Sequence, residues 1–342
     1  MASAPVTVPS PEKPVAPAAP PPAATQAPAV TTLTGRDAEG QSGVTVVRPP
    51  GTSAPPGTFI PVPQPDPLAL PPAPDPRLVE QSRYGILPRR GADGSRPAEV
   101  YARPAGPDAD AGKPRIALFV GGMGLNAALT SAAAQALPPA VTLGFAPYGG
   151  DLAEQVARVR ALGHEAVLQV PMESYDVPDG ATMPRLLTTG ASPRDTLDAL
   201  HWQMSRFVGY AGVSSFLGAK FTADTGAFTP VLKDLAERGL FYLDDGTAAR
   251  NLAATAGPSV GLPVVKADIA IDALGDREAV EAALTRLEKL ARSKGVAVGA
   301  TTGLPNTVDS VAAFANGLAA HGLVLVPVSS LAGTLPPLPP RR

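Results

Sequence analysis

From residue 115 onward, short apolar runs alternate with stretches whose apolar positions recur every three or four residues. The first pattern marks buried strands and the second marks helices with one buried face. The runs predict strands at 116–120, 141–145, 166–170, 210–214, 240–243, 264–266, 296–299 and 323–326. Helices are predicted from Leu125, and over 151–162, 193–207, 230–238, 277–294 and 306–320. Punctuation agrees with period. Ser192-Pro193 reads as an N-cap followed by proline at the first helical position. Gly163, Gly239, Gly295 and Gly322 each close a helix ahead of a strand, as C-cap glycines do. Such β–α alternation with apolar strands implies a parallel sheet covered by helices. The number of units suits a small, deformed βα barrel, with an open doubly wound sheet as the alternative.

In such folds chemistry gathers where strands end. The first strand, RIALFV, ends in Gly121-Gly122-Met123-Gly124, which offers no side-chain chemistry. Later ends are polar. Glu173 follows the third strand, Asp244 and Asp245 the fifth, and Asp268 and Asp272 bracket the end of the sixth. Glu173 and Asp244 are the candidate acid and base. Asp245, Asp268 and Asp272, with Lys220 in GAKFTAD, are candidate substrate-binding residues. The plainer reading of these carboxylates is capping, and Asp245 before Gly246-Thr247 suits an N-cap. A cleft lined by Glu173, Asp244 and Asp268 is expected at the strand C-termini.

Composition narrows the field. The chain has 342 residues, three histidines, no cysteine and a net charge of −2. Without cysteine there is no disulfide, thiolate zinc site or cysteine nucleophile. His164 directly precedes a strand, His201 lies within a helix and His321 ends one, so none is placed at a strand end. No metal site or cofactor is therefore expected, beyond a weakly bound divalent cation on carboxylates. The glycine turn is neither G-x-G-x-x-G nor a Walker loop. No basic stripe with interleaved aromatics occurs, so nucleic acid is not an expected partner. No apolar run is long enough to span a membrane, and MASAPVTVPS does not read as a signal peptide. Residues 1–75, rich in proline and alanine, predict a disordered spacer. Residues 76–112 predict an extended arm, 113–331 the folded domain and 332–342 a Pro-rich tail.

Several stretches together resemble the divergent polysaccharide deacetylase family, a branch of the NodB-like carbohydrate esterases. They are RIALFVGGMGLN, TLGFAPYGGDL, GHEAVLQVPMES, FVGYAGVSSFLGAKFTAD, ERGLFYLDDGT, KADIAIDALGD and GLVLVPVSSL. The resemblance implies a NodB-like deformed (β/α) barrel and a link to cell-envelope glycan, with an envelope glycan or envelope protein as partner. It also implies export, to the periplasm or cell envelope, whereas the missing signal peptide leaves a cytoplasmic location as the alternative. Deacetylases of the wider superfamily carry an Asp-Asp pair after the first strand, one base and one metal ligand, completed by two histidines. Here Gly121-Gly122 stand in that place. Ser214-Ser215 follow the fourth strand, where divergent members often carry Asn or His, and Thr301-Thr302 follow the seventh. The expectation is a polysaccharide deacetylase-like pseudoenzyme that binds a glycan or a partner. The alternative is an active esterase working through strand-end carboxylates.

Overall fold

The computed structural model describes residues 69–110, 112–176, 183–272 and 276–333. These belong to one unit, Pro65–Arg342. The spacer expected over 1–75 therefore falls largely outside the described residues, as does most of the C-terminal tail.

An antiparallel hairpin comes first, β1 (Val79–Ser82) and β2 (Gly85–Pro88). The remaining strands are β3 (Arg115–Met123), β4 (Thr142–Phe145), β5 (Ala166–Met172), β6 (Tyr210–Leu217), β7 (Phe241–Asp244), β8 (Val264–Lys266), β9 (Ile269–Ala270), β10 (Val296–Thr302) and β11 (Val324–Val326). All their pairings are parallel, in the order β8–β7–β6–β5–β4–β3–β10–β9. β11 pairs with the first half of β3, Val324 opposite Arg115, below the point where β4 joins. The stretch from β8 into β9 links the two ends of this path. Its first half pairs with β7, and Ala267 N–H donates to Asp244 O at 2.8 Å. Its second half pairs with β10, with Asp268 N–H on Val298 O and Ile271 N–H on Ala300 O, both 2.8 Å. The sheet is thus a deformed NodB-like barrel, which decides between the two topologies that strand–helix alternation leaves open.

The helices are α1 (Pro97–Val100), α2 (Ala127–Ala136), α3 (Leu152–Ala161), α4 (Pro193–Met204), α5 (Thr225–Arg238), α6 (Ala253–Ala256), α7 (Arg277–Lys294) and α8 (Pro305–Gly317). Four of these starts, those of α2, α4, α5 and α7, are set by side-chain caps that satisfy otherwise unpaired N–H groups. Asn126 accepts from Leu129 N, Ser192 from Asp195 N and Asp276 from Ala279 N. Helix α5 starts five residues before the expected 230. Asp224 accepts from Ala227 N at 2.9 Å, and this cap lets the helix run through Pro230 instead of beginning at it. The four expected C-cap glycines all take positive φ.

The strands separate two cores by their alternation. Leu118, Val120, Leu168, Val170 and Tyr242 pack outward under the helices. Ala117, Phe119, Val167, Leu243 and Ala300 pack inward. Residues 76–110 are not a simple extended arm. They fold as a hairpin, a turn of helix and two short 3-10 turns, and they bury Leu78, Tyr101 and Ala109 with the inward set. Arg103 N–H donates to Glu165 at the foot of β5. Residues just before this arm also pack. Leu70 is buried, its N–H donates to Arg160 O, and Pro71 O accepts from Arg160 Nη2, both at 2.9 Å. The barrel is therefore capped at the N-terminal ends of its strands, and the opposite end is left to the loops.

Candidate functional site

The irregular end of β3, where its register with β4 shifts between Val120 and Met123, is shaped by a residue on another strand. Gln169 sits in the middle of β5 on the inward face, between Leu168 and Val170 of the outward core. Its Oε1 accepts from Gly122 N–H at 2.6 Å. A Cβ on Gly121 would lie 2.6 Å from Gln169 Nε2 and 3.0 Å from Cδ. Gly122 has φ +78°, where a side chain is strained. The room a side chain at 121 would need is thus already taken by the Gln169 carboxamide. On the other flank, Thr302 of β10 pairs with Gly121. Asp272 holds this rung by accepting from Thr302 N–H at 2.9 Å and from the Thr302 hydroxyl. Ser214 pairs with Gln169 across β6.

Glu173 acts as a tie between loops. Its Oε1 accepts from Lys220 Nζ at 2.7 Å, and Oε2 accepts from Thr189 N–H and Oγ1, both at 2.7 Å. Its main-chain oxygen takes the N–H groups of Lys220 and Phe221. Partial burial pushes this carboxyl up, but the Lys220 and Thr189 hydrogen bonds and the Lys220 charge outweigh it, leaving it below the usual range. Both oxygens are occupied, which does not suit a base waiting for a proton. Lys220 is correspondingly neutralised by Glu173.

Asp244 ends β7 and is 1% exposed. By alternation it lies on the helix-facing side with Tyr242, not in the lumen. It accepts from Gly246 N–H at 3.1 Å and from Asn251. Burial raises its carboxyl, against the Gly246 and Asn251 hydrogen bonds and the Lys266 charge. Asp245 caps its own turn, accepting from Thr247 N–H at 3.0 Å and Oγ1 at 2.7 Å, and burial raises it too. Tyr242 shares this outer pocket with Asn251 and Ser215, and burial raises its hydroxyl.

Asp268 departs from the expected cleft. It binds Lys294 Nζ at 3.1 Å and Val298 N–H at 2.9 Å. Lys294 ends the helix that leads into the foot of β10, so Asp268 turns toward the N-terminal side of the sheet. The sequence places it at a strand end, but β9 is staggered so that Asp268 meets the middle of β10. The structure brings Gly121, Gln169, Thr302 and Asp272 together. Glu173 and Asp244 both lie at strand C-termini but share no hydrogen-bond partner among the described residues. Two surface cavities, of about 390 and 300 Å³, are lined by other residues. Gln169 was missed by sequence reasoning, although one polar residue inside the apolar run AVLQVPM was a usable signal.

A superfamily metal centre does not fit this donor set. Among the described residues, no three His, Cys, Asp or Glu side chains gather in a way that could hold an ion. His164 is buried below the sheet between Val141 O and Ala134 O, both 2.9 Å away. His201 pairs with Asp234 and His321 with Glu288.

The glycine turn, the following barrel units and the closing VPVSSL segment coincide with one sequence family. Its description, divergent polysaccharide deacetylase, matches residues 118–332. The chain belongs to the divergent polysaccharide deacetylase family. It is 22% identical over 170 residues to the uncharacterized protein YibQ of Escherichia coli K12, covering 48% of this chain and 51% of YibQ. The chain thus spans about half the length of that curated relative. The crystal structure of the uncharacterized protein ATU2773 from Agrobacterium tumefaciens C58 is similar with a TM-score of 0.68 and 35% identity, covering 72% of this chain and 98% of that one. The family ties the chain to carbohydrate. Among the described residues no helix is long and apolar enough to cross a membrane.

Proposed function

We propose that this member of the divergent polysaccharide deacetylase family binds a cell-envelope glycan without hydrolysing it. One observation carries the reading: the space beside Gly121, where superfamily enzymes place a catalytic carboxylate, is filled by Gln169. A carboxamide neither takes a proton near neutral pH nor supplies a charged metal ligand. Amide hydrolysis without an activated nucleophile or a general base leaves most of the barrier in place. The glycan reading carries with it a location in the periplasm or cell envelope, and requires no tightly bound metal. Metal analysis and acetate release from N-acetylglucosamine polymers test it. The expected result is no stoichiometric zinc and no acetate above background. One zinc per chain, or acetate release that Asp244→Asn abolishes, overturns it.

That second outcome belongs to the rival reading, an esterase working through strand-end carboxylates. The raised carboxyl of the buried Asp244 is the observation in its favour, since a carboxyl that holds its proton nearer neutrality can serve as a general acid.

A further inference from the structure

We infer that Gln169 is a ligand-reading donor, which with Asp272 replaces catalytic machinery by a recognition pair at the mouth of the barrel. The inference rests on the glycan-binding reading. Gln169 is 5% exposed. Gly122 N–H can only donate, so the atom it meets at 2.6 Å is the carboxamide oxygen. This fixes the amide and turns its NH₂ toward Gly121, where a Cβ would lie 2.6 Å from it. No protein group accepts from that NH₂ among the described residues, and the nitrogen is not one of the fully buried unpaired atoms, so it keeps access to solvent. Glycine at 121 leaves the donor uncovered, since any side chain there would collide with it.

The complement stands on the other flank of the same glycine. Thr302 is the register partner of Gly121 and hands both its N–H and its hydroxyl to Asp272 Oδ2. Asp272 Oδ1 has no partner among the described residues. Among the described residues, a donor without a protein acceptor and an acceptor without a protein donor therefore lie on either side of Gly121. An uncharged group with an adjoining acceptor and donor fits this pair, such as a secondary amide with its C=O and N–H or neighbouring sugar hydroxyls. A ligand anion would meet the Asp272 carboxylate unfavourably.

Calorimetric titration of the full chain with N-acetylglucosamine tetramer tests the assignment. Gln169→Glu keeps an acceptor for Gly122 N–H, removes the donor and adds a negative charge beside Gly121. It should weaken binding about tenfold, the scale of one hydrogen bond in a binding site. Asp272→Asn should weaken it similarly. In the unsubstituted protein, the ¹⁵N-labelled side-chain NH₂ resonances of Gln169 should shift when the tetramer is added, a measurement that needs no variant to fold. Unchanged affinity in Gln169→Glu, or unmoved Gln169 resonances while the tetramer binds, overturns the assignment and leaves the glycan reading standing. Absence of any tetramer binding at millimolar concentration overturns both.

Discussion

Adding a single methyl at residue 121 should measure how firmly the glycine turn is built around Gln169. In Gly121→Ala the new Cβ would lie 2.6 Å from Nε2 and 3.0 Å from both Cδ and Oε1. These are all atoms at the far end of one flexible side chain, so the amide swings aside and the backbone stays. The swing breaks the 2.6 Å bond from Gly122 N–H to Oε1 and leaves a polar group without its partner in a site only 5% exposed. That loss costs about 1–3 kcal/mol. For a folded body of this size a loss of 2 kcal/mol corresponds to a melting shift of about 4–8 °C. Urea denaturation of four proteins checks the reasoning: wild type, Gly121→Ala, Gln169→Ala and the double variant. Gln169→Ala removes the collision, so Gly121→Ala should cost at least 1 kcal/mol less in that background, as expected for residues in contact. Equal costs in both backgrounds, or a single variant within about 0.5 kcal/mol of wild type, would refute the argument. Gly121→Asp should cost more than Gly121→Ala, because its carboxylate enters next to Oε1, and it should release no acetate.

Other expectations follow from the same contacts. A chain beginning at Pro76 should be about 2 kcal/mol less stable than one beginning at Ala69, because it exposes the site of Leu70 and strips Pro71 O from the buried Arg160 guanidinium; equal melting temperatures would contradict this. Burial holds His164 below its ordinary value, against hydrogen bonds to Val141 and Ala134. Its contribution is therefore present above about pH 6.5 and lost as pH falls through the folded pKa, and His164→Asn should flatten the decline in stability between pH 7 and 5. Asp244 has the opposite sign. Its raised carboxyl favours the fold below the usual carboxylate range and loses that advantage as pH rises, so Asp244→Asn should gain on wild type between pH 3 and 7. Glu173→Gln should cost about 1 kcal/mol after solvent screening and should loosen the segment around Thr189, seen as faster amide exchange there.

By itself the sequence determined the strand–helix order, because side-chain periodicity and end caps act within a few residues. The runs at 116–120, 166–170 and 264–266, and the helix at 277–294, reappear with small shifts. It determined the emptiness of the turn at Gly121-Gly122 and the segregation of the three histidines away from strand ends. Only the tertiary structure decided what the long-range register controls. Barrel closure depends on β8 and β9 being two halves of one segment bonded to different neighbours. Asp268 faces Lys294 because of a stagger that no local pattern encodes. Asp244 lies on the helix side of the sheet because a side-chain period of two sets its face only once the faces are known. The vacancy at Gly121 is filled by Gln169, some fifty residues away in the chain. Local sequence reports which atoms are missing at a position, whereas the packing of distant strands decides what occupies the space.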